Sequence, residues 1–132
     1  MAKKFFNIVS GAHEGVRSVV FSQRVLSEPI PGLEPGMLLA PDAGGKYRLA
    51  DAGDEHMAEF VFETDERQSS GTVTTVWGVG EFETNTFDSV TAGDYVTVVA
   101  GVLTGGVATG YDPETTKWYC LTDGKSVRLK AI

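Results

Sequence analysis

Apolar side chains recur at every second position over short stretches of this chain, which is the spacing of β-strands. The clearest stretch follows a turn at Gly93-Asp94 and runs from Tyr95 to Ala100. Its odd-numbered side chains are predicted on one face and its even-numbered side chains on the other. A looser copy, in which Pro35-Gly36 leads into an apolar strand at residues 37–40, lies upstream. Each copy is followed by a glycine-bearing turn and a second apolar stretch, so the pattern predicts a protein built of β-hairpins.

Further strands are predicted wherever short apolar or alternating stretches stand between turn residues. Together with the two units above, they cover residues 4–9, 16–22, 37–40, 46–50, 57–64, 72–79, 81–87, 94–100, 102–103, 107–110, 117–121 and 126–130. Residues 4–9 are interpreted as either a first strand or an extended arm. The strand at residues 57–64 is expected to be central in its sheet, and a bend is predicted at Gly78 and Gly80. The last two strands meet at Asp123-Gly124, a pair that suits the two positive-φ positions of a type I′ turn.

Helical spacing of apolar residues is not sustained over three turns anywhere in the sequence, so little helix is expected. Residues 51–55 are predicted to be a loop or one turn of helix, and residues 65–71 and 111–115 are predicted to be loops. Residues 23–36 contain three prolines, which remove backbone donors and fix φ, so a loop is predicted there. We expect this loop to pack through Ile30 and Leu33.

Many short strands separated by glycine turns predict an all-β fold, either a small barrel or a sandwich of short antiparallel strands. The length of 132 residues fits a single domain over residues 1–132. Within it, residues 30–130 are interpreted as the β core, and residues 1–24 as an extended N-terminal arm or extra strands.

The charge balance narrows the classes of partner. The formal net charge is −7, which argues against binding to nucleic acid, since phosphate contacts need clustered Lys and Arg. No apolar run is long enough to cross a membrane or to serve as a signal peptide, so no membrane association is expected. Cys120 is the single cysteine, which excludes an internal disulfide and a multi-thiolate zinc site.

Reactive groups do not combine into a recognisable site, so we predict no catalytic, cofactor-binding or metal-binding residues and expect the protein not to be an enzyme. His13 and His56 lie in polar turns and are predicted to be solvent-exposed. Cys120 is predicted to be a small core residue. The carboxylates between Asp51 and Glu66 lack the spacing of a calcium loop and are predicted to form a solvated face.

Four motifs occur in an order that resembles one protein family. They are Pro35-Gly36-Met37-Leu38-Leu39, Gly45-Lys46, Ala92-Gly93-Asp94-Tyr95-Val96 and Asp123-Gly124-Lys125. Over about residues 30–130, this order resembles the capsid decoration (cement) proteins of tailed bacteriophages. The segment at residues 1–24 departs from the pattern of the family.

The resemblance implies a small β-rich protein, made in the host cytoplasm, that ends on the outer surface of the virion capsid. Its partners would be the major capsid protein and itself, as a homotrimer. Such proteins bind between capsomers and brace the shell, which requires neither an active site nor a cofactor. Two alternatives remain open: another virion β-protein, such as a tail-tube or head–tail joining component, and a small ligand-binding β-barrel.

For a decoration protein, we expect the capsid and subunit contacts to come from two segments and two tryptophans. The two segments are the N-terminal arm, Lys3 to Ile8, and the proline loop, Pro29 to Pro35. Trp77 and Trp118 are expected to be core or interface anchors. The candidate contact residues are Lys3, Lys4, Phe5, Phe6, Ile8, Pro29, Ile30, Pro31, Leu33, Trp77 and Trp118.

Overall fold

The computed structural model describes residues 3–11, 19–64, 71–105 and 116–132, and in it the chain forms a β-sandwich. The described strands are β1 Phe6–Ser10, β2 Val20–Val25, β3 Leu38–Pro41, β4 Tyr47–Leu49, β5 Glu59–Glu63, β6 Thr72–Trp77, β7 Glu81–Thr84, β8 Phe87–Asp88, β9 Tyr95–Val99, β10 Val102–Thr104, β11 Trp118–Thr122 and β12 Val127–Ala131. A single 3₁₀ turn, Glu55–Met57, is the helical element of the described residues. The prediction of an all-β fold is therefore confirmed, as a sandwich.

The two sheets differ in size. The seven-stranded sheet has the order β1-β7-β12-β11-β9-β10-β8, and the five-stranded sheet has the order β2-β6-β5-β3-β4. The named strands pair antiparallel, except that β8 and β10 are parallel. The expected central strand after residue 57 is β5, which has β6 on one side and β3 on the other.

The chain crosses from one sheet to the other at residues 78–80. Gly78 has a φ of +87°, a backbone conformation that residues with a Cβ atom rarely adopt. A Cβ atom on Gly80 would lie 2.5 Å from the carbonyl oxygen of Gly11, so this position has no room for a side chain. The bend predicted at these glycines is therefore confirmed, and it is the point at which β6 ends and β7 joins the other sheet.

The five-stranded sheet carries apolar side chains on both of its faces. On the inner face, which packs against the seven-stranded sheet, Phe60 lies 4.6 Å from both Phe6 and Phe82 between ring centroids, and 5.6 Å from Trp118. The outer face carries a second cluster, consisting of Leu26, Leu33, Leu39, Tyr47, Val61 and Val73. Ile30 packs on this second cluster, so the proline loop covers the outer face through Ile30 and Leu33, as the sequence predicted.

Three local predictions need correction or refinement. Residues 23–25 were predicted to be loop, but they continue β2 and pair with β6, because the first proline comes only at Pro29. The segment from Phe6 to Ser10 pairs with β7 and is a strand of the sheet, not a free arm. The turn after β11 is not type I′, because Gly124 has a positive φ and Asp123 does not, and four residues, 123–126, connect the strands.

Several predictions fall outside the described residues. They are the start of the second strand at residues 16–18, the loop at 65–70, the strand at 107–110, the loop at 111–115 and the exposure of His13.

Candidate interaction surface

A groove of about 410 Å³ lies between the N-terminal segment and the end of the proline loop. Its walls come from three places in the sequence: residues 3–6, Glu34-Pro35, and the end of β5 with the two residues that follow it. The lining residues are Lys3, Lys4, Phe5, Phe6, Glu34, Pro35, Phe62, Glu63 and Thr64. The fold thus brings residues 3–6 beside Glu34 and Pro35 at the end of the proline loop, whereas the predicted contact residues of that loop, Pro29, Ile30, Pro31 and Leu33, do not line the groove.

Asn85 holds the N-terminal wall of the groove in place. Its side-chain oxygen accepts a hydrogen bond from the Phe5 amide (2.8 Å), and its side-chain amide donates to the Lys3 carbonyl (3.0 Å). The Lys4 ammonium donates to the Asn85 carbonyl (3.1 Å), and the hydroxyl of Thr84 donates to the Phe5 carbonyl (2.7 Å). Residues 3–5 are therefore tied to the end of β7 before any partner binds.

The opposite wall is fixed by a tight turn. The Met37 amide donates to the Glu34 carbonyl (3.2 Å), and Gly36 in between has a φ of +90°. The hydroxyl of Thr86 donates to the Pro35 carbonyl (2.6 Å). Proline followed by a positive-φ glycine is the sequence of a type II turn, so this wall follows directly from the chain.

The sequence-predicted contact residues divide into buried and accessible ones. Phe6, Leu33 and Trp118 are at most 5% exposed and pack inside the subunit, so their apolar surface is already covered by this chain. Ile8 and Ile30 are half-buried against the two clusters, and Trp77 is half-buried at the end of β6. The accessible members are Lys3, Lys4, Pro29 and Pro31, with Phe5 partly so.

Apolar side chains of β2 are a part of the surface that sequence reasoning missed. Val20, Phe21 and Val25 are 45%, 53% and 52% exposed. Phe21 packs edge-on against Phe62, at 5.0 Å between ring centroids, and Phe62 lines the groove. The available signal was the uninterrupted apolar run before Ser22, which places apolar side chains on both faces of the strand.

Glu59 corrects the prediction that the acidic stretch is a solvated face. It is 7% exposed, and its carboxylate accepts two hydrogen bonds from Arg24 (both 2.8 Å), one from Thr75 (2.6 Å) and one from Tyr47 (3.1 Å). Burial raises the pKa of Glu59, but the hydrogen bonds from Arg24 and Thr75 outweigh burial and hold the pKa below its usual value. The physical reason is position, since residue 59 points to the outer face that the proline loop covers.

Glu55 contradicts the same prediction. It is fully buried, and its carboxylate accepts hydrogen bonds from the Gly53 amide (2.9 Å) and from the hydroxyl of Thr97 (2.5 Å). It therefore links the 3₁₀ turn to β9. His56 on the same turn is exposed, as the sequence predicted.

Lys117 is a buried cation, only 4% exposed, that sequence reasoning passed over. Its ammonium lies 5.8 Å from the ring centroids of both Trp77 and Trp118. Burial lowers the pKa of Lys117 to about 8, against a smaller opposing effect of the Glu59 charge.

Cys120, three residues on, is fully buried as predicted, and burial raises the pKa of its thiol to about 11. That thiol therefore stays protonated near neutral pH.

Among the described residues, no group of three His, Cys, Asp or Glu side chains is arranged to hold a metal ion. The described part of the chain also contains no helix long and apolar enough to span a bilayer. No family model, curated protein or solved structure matches this chain.

Proposed function

We propose that this protein is a capsid decoration protein, which binds the outer surface of a phage head between capsomers and stabilises the shell as a homotrimer. The observation that carries the proposal is the groove, which joins the N-terminal segment to the proline loop although about 30 residues separate them in the sequence. The order of motifs along the chain supports the same assignment.

The composition of the groove suits a protein partner. Lys3 and Lys4 contribute positive charge, Glu34 and Glu63 contribute negative charge, and the ring of Phe62 contributes apolar surface. A mixture of both charges around an apolar centre is the usual make-up of a protein–protein contact. The hydrogen bonds of Asn85 order the N-terminal wall in advance, so that binding loses less conformational entropy there.

The test uses the full chain and heads assembled from the major capsid protein encoded in the same genome. Co-sedimentation should show saturable binding to expanded heads, with a stoichiometry that is a multiple of three, and no binding to DNA. Failure of the wild-type protein to bind heads at all would overturn the proposal. Assembly into rings or tubes, seen by electron microscopy, would instead favour a tail-tube or head–tail joining component.

A pair of double variants tests the groove itself. Lys3→Ala/Lys4→Ala should weaken binding to heads by about tenfold or more, because both side chains line the groove. Lys46→Ala/Lys125→Ala makes the same change in net charge at exposed positions that do not line the groove, and it should bind like the wild type. Equal affinities of the two variants would exclude the groove as the contact.

Deleting residues 1–8 is a poorer test, because it also removes Phe6. The Phe6 ring packs on both Phe60 and Phe82, so such a deletion opens the core of the sandwich and lowers stability together with binding.

A further inference from the structure

Strand β2 forms one edge of the five-stranded sheet, and within the described residues no strand pairs with its outer side. An unpaired edge presents a row of amide and carbonyl groups to which another strand can bond. β2 has six residues and pairs with β6 in an unbroken register, so no bulge interrupts it.

The other three edges of the two sheets are protected in ways that β2 is not. β1 carries a register shift between Ile8 and Ser10, and bulges of this kind disturb edge pairing. β4 and β8 have only three and two residues. β2 has no proline, lysine or bulge, and its one charged side chain, Arg24, is already paired with Glu59.

The hydrogen bond from the Leu26 amide to the Gly71 carbonyl (2.6 Å) fixes which backbone groups of β2 point outward. It continues the register in which Val25 lies opposite Thr72. Because backbone groups alternate in direction along an antiparallel strand, the even-numbered residues of β2 bond to β6. Phe21, Gln23 and Val25 therefore direct their amide and carbonyl groups away from the sheet.

The same three residues carry their side chains on the inner face, since Phe21 lies opposite the inward-facing Val76. The seven-stranded sheet does not cover them. Its edge strand β1 stacks Phe6 on Phe60 of β5, which lies two strands in from β2. This offset is why Phe21 and Val25 stay 53% and 52% exposed although they face inward.

We propose that two copies of this chain pair β2 to β2, antiparallel, about a two-fold axis that passes beside Gln23. In this register Gln23 lies opposite Gln23 of the second copy, and Phe21 lies opposite Val25. Each outward amide of these residues then donates a hydrogen bond to a carbonyl of the second copy. The two-fold axis generates the contact between Phe21 and Val25 twice, so both exposed apolar side chains of each copy are covered. The two five-stranded sheets become one continuous sheet.

The charges on β2 are compatible with this register. Arg24 lies opposite Ser22 of the second copy, so no like charges face each other across the pair. The guanidinium of Arg24 stays bound to Glu59 on the outer face. Registers shifted by two residues in either direction place Gln23 opposite Phe21 or Val25, so a polar side chain faces an apolar one and Phe21 no longer faces Val25.

The contact is small, since Phe21 and Val25 supply most of its apolar surface. It belongs to the class of reversible interfaces, so association should depend on concentration. The basal species is the form present at the lowest concentration, whether monomer or trimer. In sedimentation runs from ~1 μM to ~1 mM, the mass should rise to twice that of the basal species. This inference does not depend on the proposed function, because none of its residues lines the groove.

Gln23→Pro and Gln23→Ala form a matched pair. Both lose the side-chain hydrogen bond to Thr74, but only proline removes the outward amide that bonds to the second copy. Gln23→Pro should stay at the basal mass at every concentration, with the wild-type circular dichroism spectrum, whereas Gln23→Ala should double its mass as the wild type does. Doubling by both variants, or no doubling by the wild type, would overturn the proposal.

A cross-linking experiment decides the register, and it does not need Gln23→Pro to fold. The Cα atoms of directly opposed hydrogen-bonded residues lie about 5.5 Å apart, within the range of a disulfide. Under mild oxidation, Gln23→Cys should therefore give disulfide-linked dimers. Ser22→Cys should not, because position 22 lies opposite Arg24 of the second copy and not opposite position 22. Cys120 is fully buried and does not take part. Equal cross-linking of both variants, or none in either, contradicts the two-fold pairing at Gln23.

Discussion

At the scale of single residues, the carboxylate of Glu59 connects three polar side chains beneath the proline loop. Arg24, Tyr47 and Thr75 reach it from β2, β4 and β6, so one side chain joins three other strands of the five-stranded sheet. Removing Glu59 leaves the guanidinium of Arg24, which is 33% exposed, without its carboxylate, and it leaves the hydroxyls of Tyr47 and Thr75 without their acceptor.

Glu59→Ala should therefore lower the free energy of unfolding by about 3 kcal/mol, measured by urea denaturation at pH 7. The control is Arg48→Ala, which breaks the more exposed ion pair with Asp54 and should cost about 1 kcal/mol or less. A loss for Glu59→Ala no larger than that for the control would mean that the buried network contributes little.

Lys117 should make stability depend on pH in the alkaline range. Its ordinary pKa is 10.5 and its folded pKa is about 8, so between these values the unfolded chain holds a proton that the folded chain has lost. Stability rises with pH wherever the unfolded state binds more protons. From pH 8 to pH 9 the gain should be about 1 kcal/mol. The Cys120 thiol opposes this gain as pH approaches and passes 9, because its ordinary pKa is 9.0 and its folded pKa is raised to about 11.

Urea denaturation at half-unit steps between pH 7 and pH 9 measures this rise. Lys117→Met keeps the buried apolar stem without the amine, so its stability should show no rise over the same range and should fall slightly near pH 9 because of Cys120. A rise of the same size in the methionine variant would assign the effect to another group.

At the scale of elements, two turns with the sequence Ala-Gly-Asp show how far local sequence determines structure. In the predicted turn at residues 91–94, the Asp94 carboxylate accepts a hydrogen bond from the Thr91 amide (2.9 Å), as expected of a turn-forming residue. The same Ala-Gly-Asp sequence recurs at residues 52–54, where Asp54 accepts a hydrogen bond from the Asp51 amide (2.9 Å). This second copy was missed, although its signal was present in the sequence.

Other features could not be read locally because contacts distant in sequence decide them. The positive φ values of a type I′ turn occur at Ala100 and Gly101, not at Asp123-Gly124. That turn is held by hydrogen bonds from the Gly101 amide to Ala50 and from the Leu38 amide to Gly101. Likewise, the alternation within β5 could not reveal that Glu59 faces a covered surface. The groove depends on Asn85, which no motif had marked.

Gly36, in the type II turn at residues 34–37, should tolerate a side chain poorly. A Cβ atom there would lie 2.5 Å from the hydroxyl oxygen of Thr84, in addition to the strain of its positive φ. Gly36→Ala should cost about 2 to 4 kcal/mol in thermal or urea unfolding. Gly45→Ala has a similar φ of +83° with open space around the added atom, so it should cost about 1 kcal/mol. Equal costs would show that the contact with Thr84 adjusts freely.

At the scale of the whole molecule, the aromatic cluster determines whether the two sheets unfold together. Phe60 belongs to the five-stranded sheet, but its ring contacts Phe6, Phe82 and Trp118, which all belong to the seven-stranded sheet. Neither sheet can leave the other without exposing this cluster to water. We therefore expect a single cooperative transition in a chain of this size.

The two tryptophans allow this expectation to be tested, because Trp77 lies in β6 of the five-stranded sheet and Trp118 lies in β11 of the seven-stranded sheet. Trp118→Phe leaves only Trp77 as a fluorescent reporter, and Trp77→Phe leaves only Trp118. In each variant, the urea midpoint from tryptophan fluorescence should coincide with the midpoint from far-ultraviolet circular dichroism. A fluorescence midpoint for Trp77 clearly below that of the dichroism would mean that the five-stranded sheet opens first. The edge strand β2 would then be released together with it, and pairing of two copies through β2 should raise the Trp77 midpoint as protein concentration increases.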